Sequence, residues 1–217
     1  MTELISMRPL DAWESALAGQ PCEVLRSDGT LVPADMQRWS GMPDAADHHL
    51  LVDPCSGPTL DVGCGAGRIA EALTIRGITA LGLDVSPEAV RLARQRGASA
   101  VRRDVFGRVP SEGDWQETLL ADGNIGIGGD PVRLLRRLRD LMRPEGTALV
   151  EVDGPGTGVV HDVIRLRVQG RITGTLPWSW VGVDAVAAVA AEAGFLGCDI
   201  RRFGGRHLAR LTRREAS

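Results

Sequence analysis

The stretch Thr59–Leu73, TLDVGCGAGRIAEAL, decides how the rest of the chain is read. An apolar run ends at Asp61, and glycines follow at alternate positions, Gly63, Gly65 and Gly67. A helix-like pattern then begins. Glycine accepts positive φ without a steric penalty and lets another group come close to the main chain. A strand handing over to a helix through three such residues predicts a loop built for close approach, at the carboxyl end of a strand.

Two common occupants do not fit the spacing. A nicotinamide fingerprint, G-x-G-x-x-G, would need its third glycine where the chain has Arg68. A P-loop needs G-K-[ST], and the chain contains no lysine.

Outward from the loop, strand-like and helix-like segments alternate. AGRIAEALTIRG reads as a helix closed by Gly77, and ITALGLDVS as a second strand. SPEAVRLARQRG is a helix capped by Ser86 with Pro87 in its first turn. ASAVRRDVF and WQETLLA are the third and fourth strands. DPVRLLRRLRDLM is a helix capped by Asp130, and GTALVEVD is the fifth strand. The order then changes. HDVIRLRVQGRITGTLP alternates apolar and polar residues and predicts an antiparallel hairpin. A helix over GVDAVAAVAAEAG precedes two strands joined at Gly204-Gly205. The fold expected is α/β: a doubly wound, mostly parallel seven-stranded sheet with a terminal antiparallel hairpin. Residues 1–52 read as an N-terminal extension, helical with a short hairpin around Ser27-Asp28-Gly29. Residues 53–217 read as the main domain, with an inserted hairpin at about 159–181.

Composition narrows the function. The chain has 217 residues and a formal charge of −3, which argues against a general nucleic-acid binder. Its Arg-rich helices read as solvated amphipathic faces. No apolar run is long enough to cross a bilayer, and the first twenty residues lack a basic stretch followed by an apolar core. A cytoplasmic protein without membrane partners is expected, with reduced thiols at Cys22, Cys55, Cys64 and Cys198. No CxxC pair suggests zinc, and no metal is expected.

LDVGCGAGR resembles motif I of the class I S-adenosylmethionine-dependent methyltransferases, small-molecule type. In that family an acidic residue ends the second strand and holds the ribose hydroxyls, and another often follows the third strand at the adenine amino group. Asp84 with Val85, and Asp104 with Val105, stand at those places. The closing GFLGCDIRRFGGRHLARLTR is similar to the reversed hairpin that ends the family's sheet. The resemblance covers roughly residues 55–217. It implies S-adenosyl-L-methionine as cofactor, held by Asp61, Gly63, Cys64, Gly65, Gly67, Asp84, Val85, Asp104, Val105 and Ala121. Cys64 itself reads as a small space-filler within the loop. A carboxylate facing a diol accepts from both hydroxyls, which agrees with the role implied for Asp84.

Methyl transfer from a sulfonium is an in-line displacement, so alignment is the main demand. A base is needed only when the acceptor must lose a proton. The loop LLADGNIGIGGDP, residues 119–131, offers Asp122 and Asn124 where the family's donor and acceptor sites meet. His161, which opens the inserted segment, is a further candidate base, and His48 and His49 are weaker ones. The loop carries neither the [DNS]-P-P-[YFW] motif of DNA amino-methylating enzymes nor the Pro-Cys of cytosine-C5 enzymes. A small-molecule acceptor methylated on O, N or S is expected, with the protein a monomer or homodimer. The alternatives are a catalytically inactive S-adenosylmethionine-binding partner or sensor and, less favoured, an NAD(P)-dependent oxidoreductase. The tryptophans of LPWSWVG, residues 176–182, either cap the pocket, form a dimer contact or pack in a core.

Overall fold

The computed structural model describes residues 5–213. The chain opens with a short strand, β1 (Ile5–Met7), and helix α1 (Pro9–Leu17), whose proline sits in the first turn. A hairpin follows, β2 (Cys22–Leu25) and β3 (Leu31–Pro33). Its turn is held by Asp28 accepting from the Thr30 N–H at 2.8 Å, with Gly29 at φ 87°. Helix α2 (Met36–Ser40) is capped by Asp35. Helix α3 (Ala45–Asp47) carries a capping box between Asp44 and Asp47 and runs on into a π-helical turn, His48–Val52, that buries Leu50, Leu51 and Val52.

The glycine stretch lies where the pattern places it, between β4 (Thr59–Val62) and α4 (Arg68–Ile75). Then come β5 (Ala80–Asp84), α5 (Pro87–Gln95) with its Ser86 cap, β6 (Ala100–Arg102) and β7 (Trp115–Leu120). Helix α6 (Pro131–Leu141) is capped by Asp130 and leads into the long strand β8 (Met142–Val152). After β9 (Val159–Val168), β10 (Arg171–Thr173) and β11 (Leu176–Val181), helix α7 (Val186–Glu192) precedes β12 (Gly197–Phe203) and β13 (Arg206–Thr212).

Seven strands form one sheet in the order β12-β13-β8-β7-β4-β5-β6. Strands β8, β7, β4, β5 and β6 are parallel, and β13 and β12 close the edge antiparallel. One face is covered by α6 and α7 through Leu134, Leu138 and Val186. The other is covered by α4 and the π-helical turn through Ile69, Leu73 and Leu50. This is the doubly wound, mostly parallel seven-stranded α/β sheet with a terminal antiparallel hairpin that the alternation predicts. It puts the carboxyl ends of β4, β5, β7 and β8 on one rim.

The inserted segment differs from the expected hairpin. It is three strands, with β10 and β11 both pairing β9, and β2 pairs β9 along its other edge. The extension and the insertion therefore share a second sheet, ordered β1-β10-β9-β2-β3 with β11 also on β9. Helix α1 packs on it through Ala12, Ala16, Leu166 and Val168. Cross-strand partners so far apart in the chain leave no mark in local periodicity.

Candidate functional site

The three loop glycines serve three different approaches. All have positive φ, at 72°, 53° and 83°. A Cβ on Gly67 would stand 2.6 Å from that of Ala93, so this glycine lets α4 lie against α5. A Cβ on Gly63 would meet the Asn124 amide at 2.6 Å. That amide donates to the carbonyls of Val62 and Gly63, at 3.0 and 2.9 Å. Asn124 therefore braces the loop from the far side. Nothing lies within 4 Å of the corresponding position on Gly65. Only this middle glycine opens onto free space.

Asp84 ties that middle glycine down. Its Oδ2 accepts from the Gly65 N–H at 3.0 Å and its Oδ1 from the Ser86 N–H at 2.8 Å. Burial pushes this carboxyl above the usual range, while the Ser86 and Gly65 N–H groups pull it down. Each oxygen keeps one lone pair for a further donor. Val85, beside it, is exposed. Asp104 is exposed and accepts from the Phe106 N–H at 2.9 Å. Val105 turns its side chain into the core. Cys64 is buried against Gly82, and burial raises its thiol well above the ordinary value. It fills space and is no nucleophile.

Asp61 is 2 % exposed, and its Oδ2 has no hydrogen-bond partner. Burial pushes its pKa up to about 7; Arg68 opposes the rise, and Asp122 and Asp84 add to it. An unpaired buried carboxylate oxygen at the mouth of an open glycine loop fits a ligand cation.

Around Asp61 lies an ion network that no motif announces. Arg68, itself 2 % exposed, bridges Asp47 of α3 and Asp122. Arg206, at the start of β13, grips Glu151 with two bonds of 2.7 and 2.8 Å and reaches Asp47 at 2.7 Å. Arg38 of α2 donates to Glu151 at 2.8 Å and stands 3.0 Å from Asp122. Burial works against the charged forms of Asp47 and Glu151, but their arginine partners prevail and both carboxyls stay below the usual range. Asp122 is raised, because burial outweighs Arg68 there. Asp122 itself adopts φ 53° and sends its N–H to Glu151 at 2.8 Å.

Arg38, Asp47, Arg68, Glu151 and Arg206 come from five separate segments and were not anticipated as site residues. Two carried a signal. Glu151 is a charge inside an apolar strand run, and Arg68 is a cation in the first turn of a helix, where the dipole disfavours it.

Thus the structure gathers Asp61, Gly63, Gly65, Asp84, Ala121, Asp122 and Asn124 at the rim, but Asp122 and Asn124 are engaged by arginines and by the loop. His161 is not brought to them. Its Nδ1 meets Ser179 Oγ at 2.9 Å and the Gly129 carbonyl at 3.1 Å, on the exposed side of β9. His49 stacks on Phe203, with centroids 4.5 Å apart. Among the described residues no cluster of acids, histidines and cysteines is arranged to hold a metal. The remaining glycines of the loop after β7 serve the second sheet. Gly126 and Gly129 leave room for Trp178, Ser179 and Pro177 of β11.

The family described as "Methyltransferase domain" matches residues 59–146. The structure is similar to that of a SAM-dependent methyltransferase from Bacteroides fragilis in complex with S-adenosyl-L-homocysteine. The TM-score is 0.80 with 20 % identity, covering 96 % of this chain and 97 % of that one. It is also similar to a Burkholderia thailandensis 1,6-didemethyltoxoflavin-N1-methyltransferase, with TM-score 0.61 and 18 % identity, covering 97 % and 93 %. In sequence it is 29 % identical over 167 residues to a trans-aconitate 2-methyltransferase of Rhodococcus jostii (strain RHA1). That match takes in 70 % of this chain but only 62 % of the relative's length. Residues 59–146, which hold the glycine loop, thus match a methyltransferase-domain family, and the fold of the chain is that of the SAM-dependent methyltransferases it resembles.

Proposed function

We propose that this protein is an enzyme that transfers the methyl group of S-adenosylmethionine to a small-molecule acceptor. The observation that carries the reading is the open face of Gly65, flanked by Asp84 with two spare lone pairs and by the unpartnered oxygen of Asp61. These groups match the cofactor's ribose diol and ammonium. Asp84 would accept from both ribose hydroxyls while holding the loop in shape. Asp61 would take the methionyl ammonium, with the Ala121 carbonyl nearby. Asp104 and the main chain of Val85 and Val105 would border the adenine, and Gly63, Cys64 and Gly67 would supply the backbone curve. The cofactor supplies an activated methyl on sulfur, so the chain's task is alignment and exclusion of water.

Asp122 and Asn124 are read as positioning residues. Asn124 braces Gly63, and Asp122 locks Arg68 and Arg38 to the rim. His161, turned away, has no part in the reaction on this reading. The acceptor supplies its own nucleophile. Small-molecule acceptors named for two similar proteins, trans-aconitate and didemethyltoxoflavin, support the acceptor class. The net charge of −3 favours neither nucleic acid nor an anionic membrane surface, and no helix among the described residues is long and apolar enough to cross a membrane. We place the reaction in the cytoplasm, consistent with four unpaired cysteines, and read the protein as a monomer or homodimer. Residues 53–217 are read as the donor-binding domain, and residues 1–52 with the insertion as its cap.

Calorimetry with S-adenosylhomocysteine and with NAD tests the reading. We expect binding of the first alone. Asp84→Ala should weaken it by about 1.5–3 kcal/mol, the scale of charge-assisted hydrogen bonds. Binding of NAD without S-adenosylhomocysteine would overturn the assignment. A protein that binds the donor product but methylates nothing in a labelled-donor acceptor screen would be a sensor.

A further inference from the structure

The tryptophans divide unequally between the two sheets. Trp115 alone belongs to the seven-stranded sheet, where it is buried with Nε1 donating to the Pro110 carbonyl at 3.0 Å. Trp13, Trp39, Trp178 and Trp180 lie on the extension and the insertion, and all four are half-buried. The chain has no tyrosine and three phenylalanines, so its accessible aromatic surface is concentrated there.

Strand register fixes where these rings look. Trp178 stands opposite Asp162 and Trp180 opposite Val160, so these four share one face of the β9–β11 pair. Further along β9 the same face carries Leu166 and Val168, which pack under α1. His161 and Ser179 form the other face. Helix α1 sits over the end of β5, where Ser86 Oγ and Glu14 are 3.2 Å apart. The Trp178 indole borders Gly126, in the loop after β7. Trp39, tilted at 38° against Trp13 with ring centroids 5.4 Å apart, is next to Arg38, which reaches Asp122 and Glu151. The tryptophan face is thus turned toward the rim that holds the glycine loop.

We infer that this face is the acceptor site and that the acceptor is a flat, conjugated ring; the inference rests on the methyltransferase reading above. Trp180 is half-buried, and the Arg26 guanidinium packs over its ring at 4.3 Å, which holds the indole in place as a platform. A half-buried indole gains most from an offset-stacked π system. A polar aliphatic acceptor would need hydrogen-bonding groups, and on the β9–β11 part of this face the polar side chain is Asp162. It already receives the Val163 N–H at 2.7 Å and the Ser27 N–H at 3.3 Å, and pairs with Arg26 at 3.4 Å.

A matched pair of probes tests this: 2-naphthol and its saturated counterpart decahydro-2-naphthol, titrated by calorimetry into protein saturated with S-adenosylhomocysteine. We expect 2-naphthol alone to bind. Trp178→Leu and Trp180→Leu should each weaken it about tenfold, with Trp178→Phe retaining most of the affinity. Binding of S-adenosylhomocysteine should stay within about twofold in all three variants, which also reports that they fold. If the donor product binds but the two naphthols bind alike, or neither binds, or the leucine variants keep full affinity, the flat-acceptor site is wrong while the methyltransferase reading stands. If S-adenosylhomocysteine itself fails to bind, that reading falls and takes this one with it.

Discussion

The two sheets of this protein are built by opposite means. In the seven-stranded sheet, the parallel strands β4, β5 and β7 are each followed by a helix that packs on the sheet. Caps at Ser86 and Asp130 and stops such as Gly77 mark the joints in the local sequence. In the second sheet, β2 of the extension pairs with β9 of the insertion, and the turn signals of either segment say nothing about the other. The first is specified by periodicity. The second depends on a docking event that the first makes possible. The seam between the helices of the extension, α2 and α3, and the first sheet is made differently again: Arg38, Arg68 and Arg206 join acids from α3, β8 and the loop after β7. Buried ion pairs of this kind yield little net stability but penalise wrong docking heavily, because a misplaced partner leaves a charge alone.

The largest expected effect breaks that seam. Arg68→Met takes from buried Asp47 and Asp122 one of their two arginine partners, leaving Arg206 and Arg38 alone to hold them, and should destabilise the protein by about 2–4 kcal/mol in urea titration. A loss below about 1 kcal/mol would show that the extension is held by its apolar contacts instead. A smaller effect is expected where the second sheet rests on the first. Gly126→Ala drives a methyl into the Ser179 carbonyl and the Trp178 indole and should cost about 1–3 kcal/mol by overpacking. The same variant should leave binding of S-adenosylhomocysteine nearly intact, because Gly126 touches β11 and not the glycine loop. A strong loss of donor affinity would mean that the two regions are coupled more tightly than this division allows.

The finest test uses protons. Asp61 titrates near 7 in the folded chain against an ordinary 3.8, so the folded state binds the extra proton. Its contribution to stability is therefore complete below about pH 4 and is lost as pH rises through about 7. Asp47 and Glu151 are lowered, so theirs has the opposite sense and is lost on acidification. Replacing Asp61 by Asn should flatten the stability profile between those two pH values while leaving the acid limb in place. A ligand ammonium beside Asp61 would draw its pKa back down. Binding of S-adenosylhomocysteine at pH 7 should then release about half a proton, read by calorimetry in buffers of different ionisation enthalpy. Asp61→Asn should abolish that release, and an unchanged proton count in the variant would move the titration to another group.

Much of the candidate site is legible in the sequence because its parts are consecutive. Gly63, Gly65 and Gly67 sit in one loop, and Asp84 and Asp104 each end a recognisable strand. What stayed hidden was the division of labour among them. That Gly67 serves helix packing and Gly63 serves Asn124, leaving only Gly65 of the three open, depends on Ala93 and Asn124, which no spacing rule connects to the loop. Asp122, Asn124 and His161 stand out in the sequence by their chemistry and their place in the chain. The structure shows the first two occupied and the third on the outer face of its strand, a parity that only the register with β11 decides.

By itself the sequence determined the doubly wound sheet, its terminal hairpin and the glycine loop at its rim. Those follow from side-chain periods of 2 and 3.6, from caps and from positive-φ positions, all of which act over a few residues. The tertiary structure alone decided that the extension and the insertion make one sheet, and that three arginines tie α2 and α3 to the rim beside Asp61. It also decided that the tryptophans look inward while His161 looks out. These depend on contacts between distant segments, whose energies exist only once the chain has closed on itself.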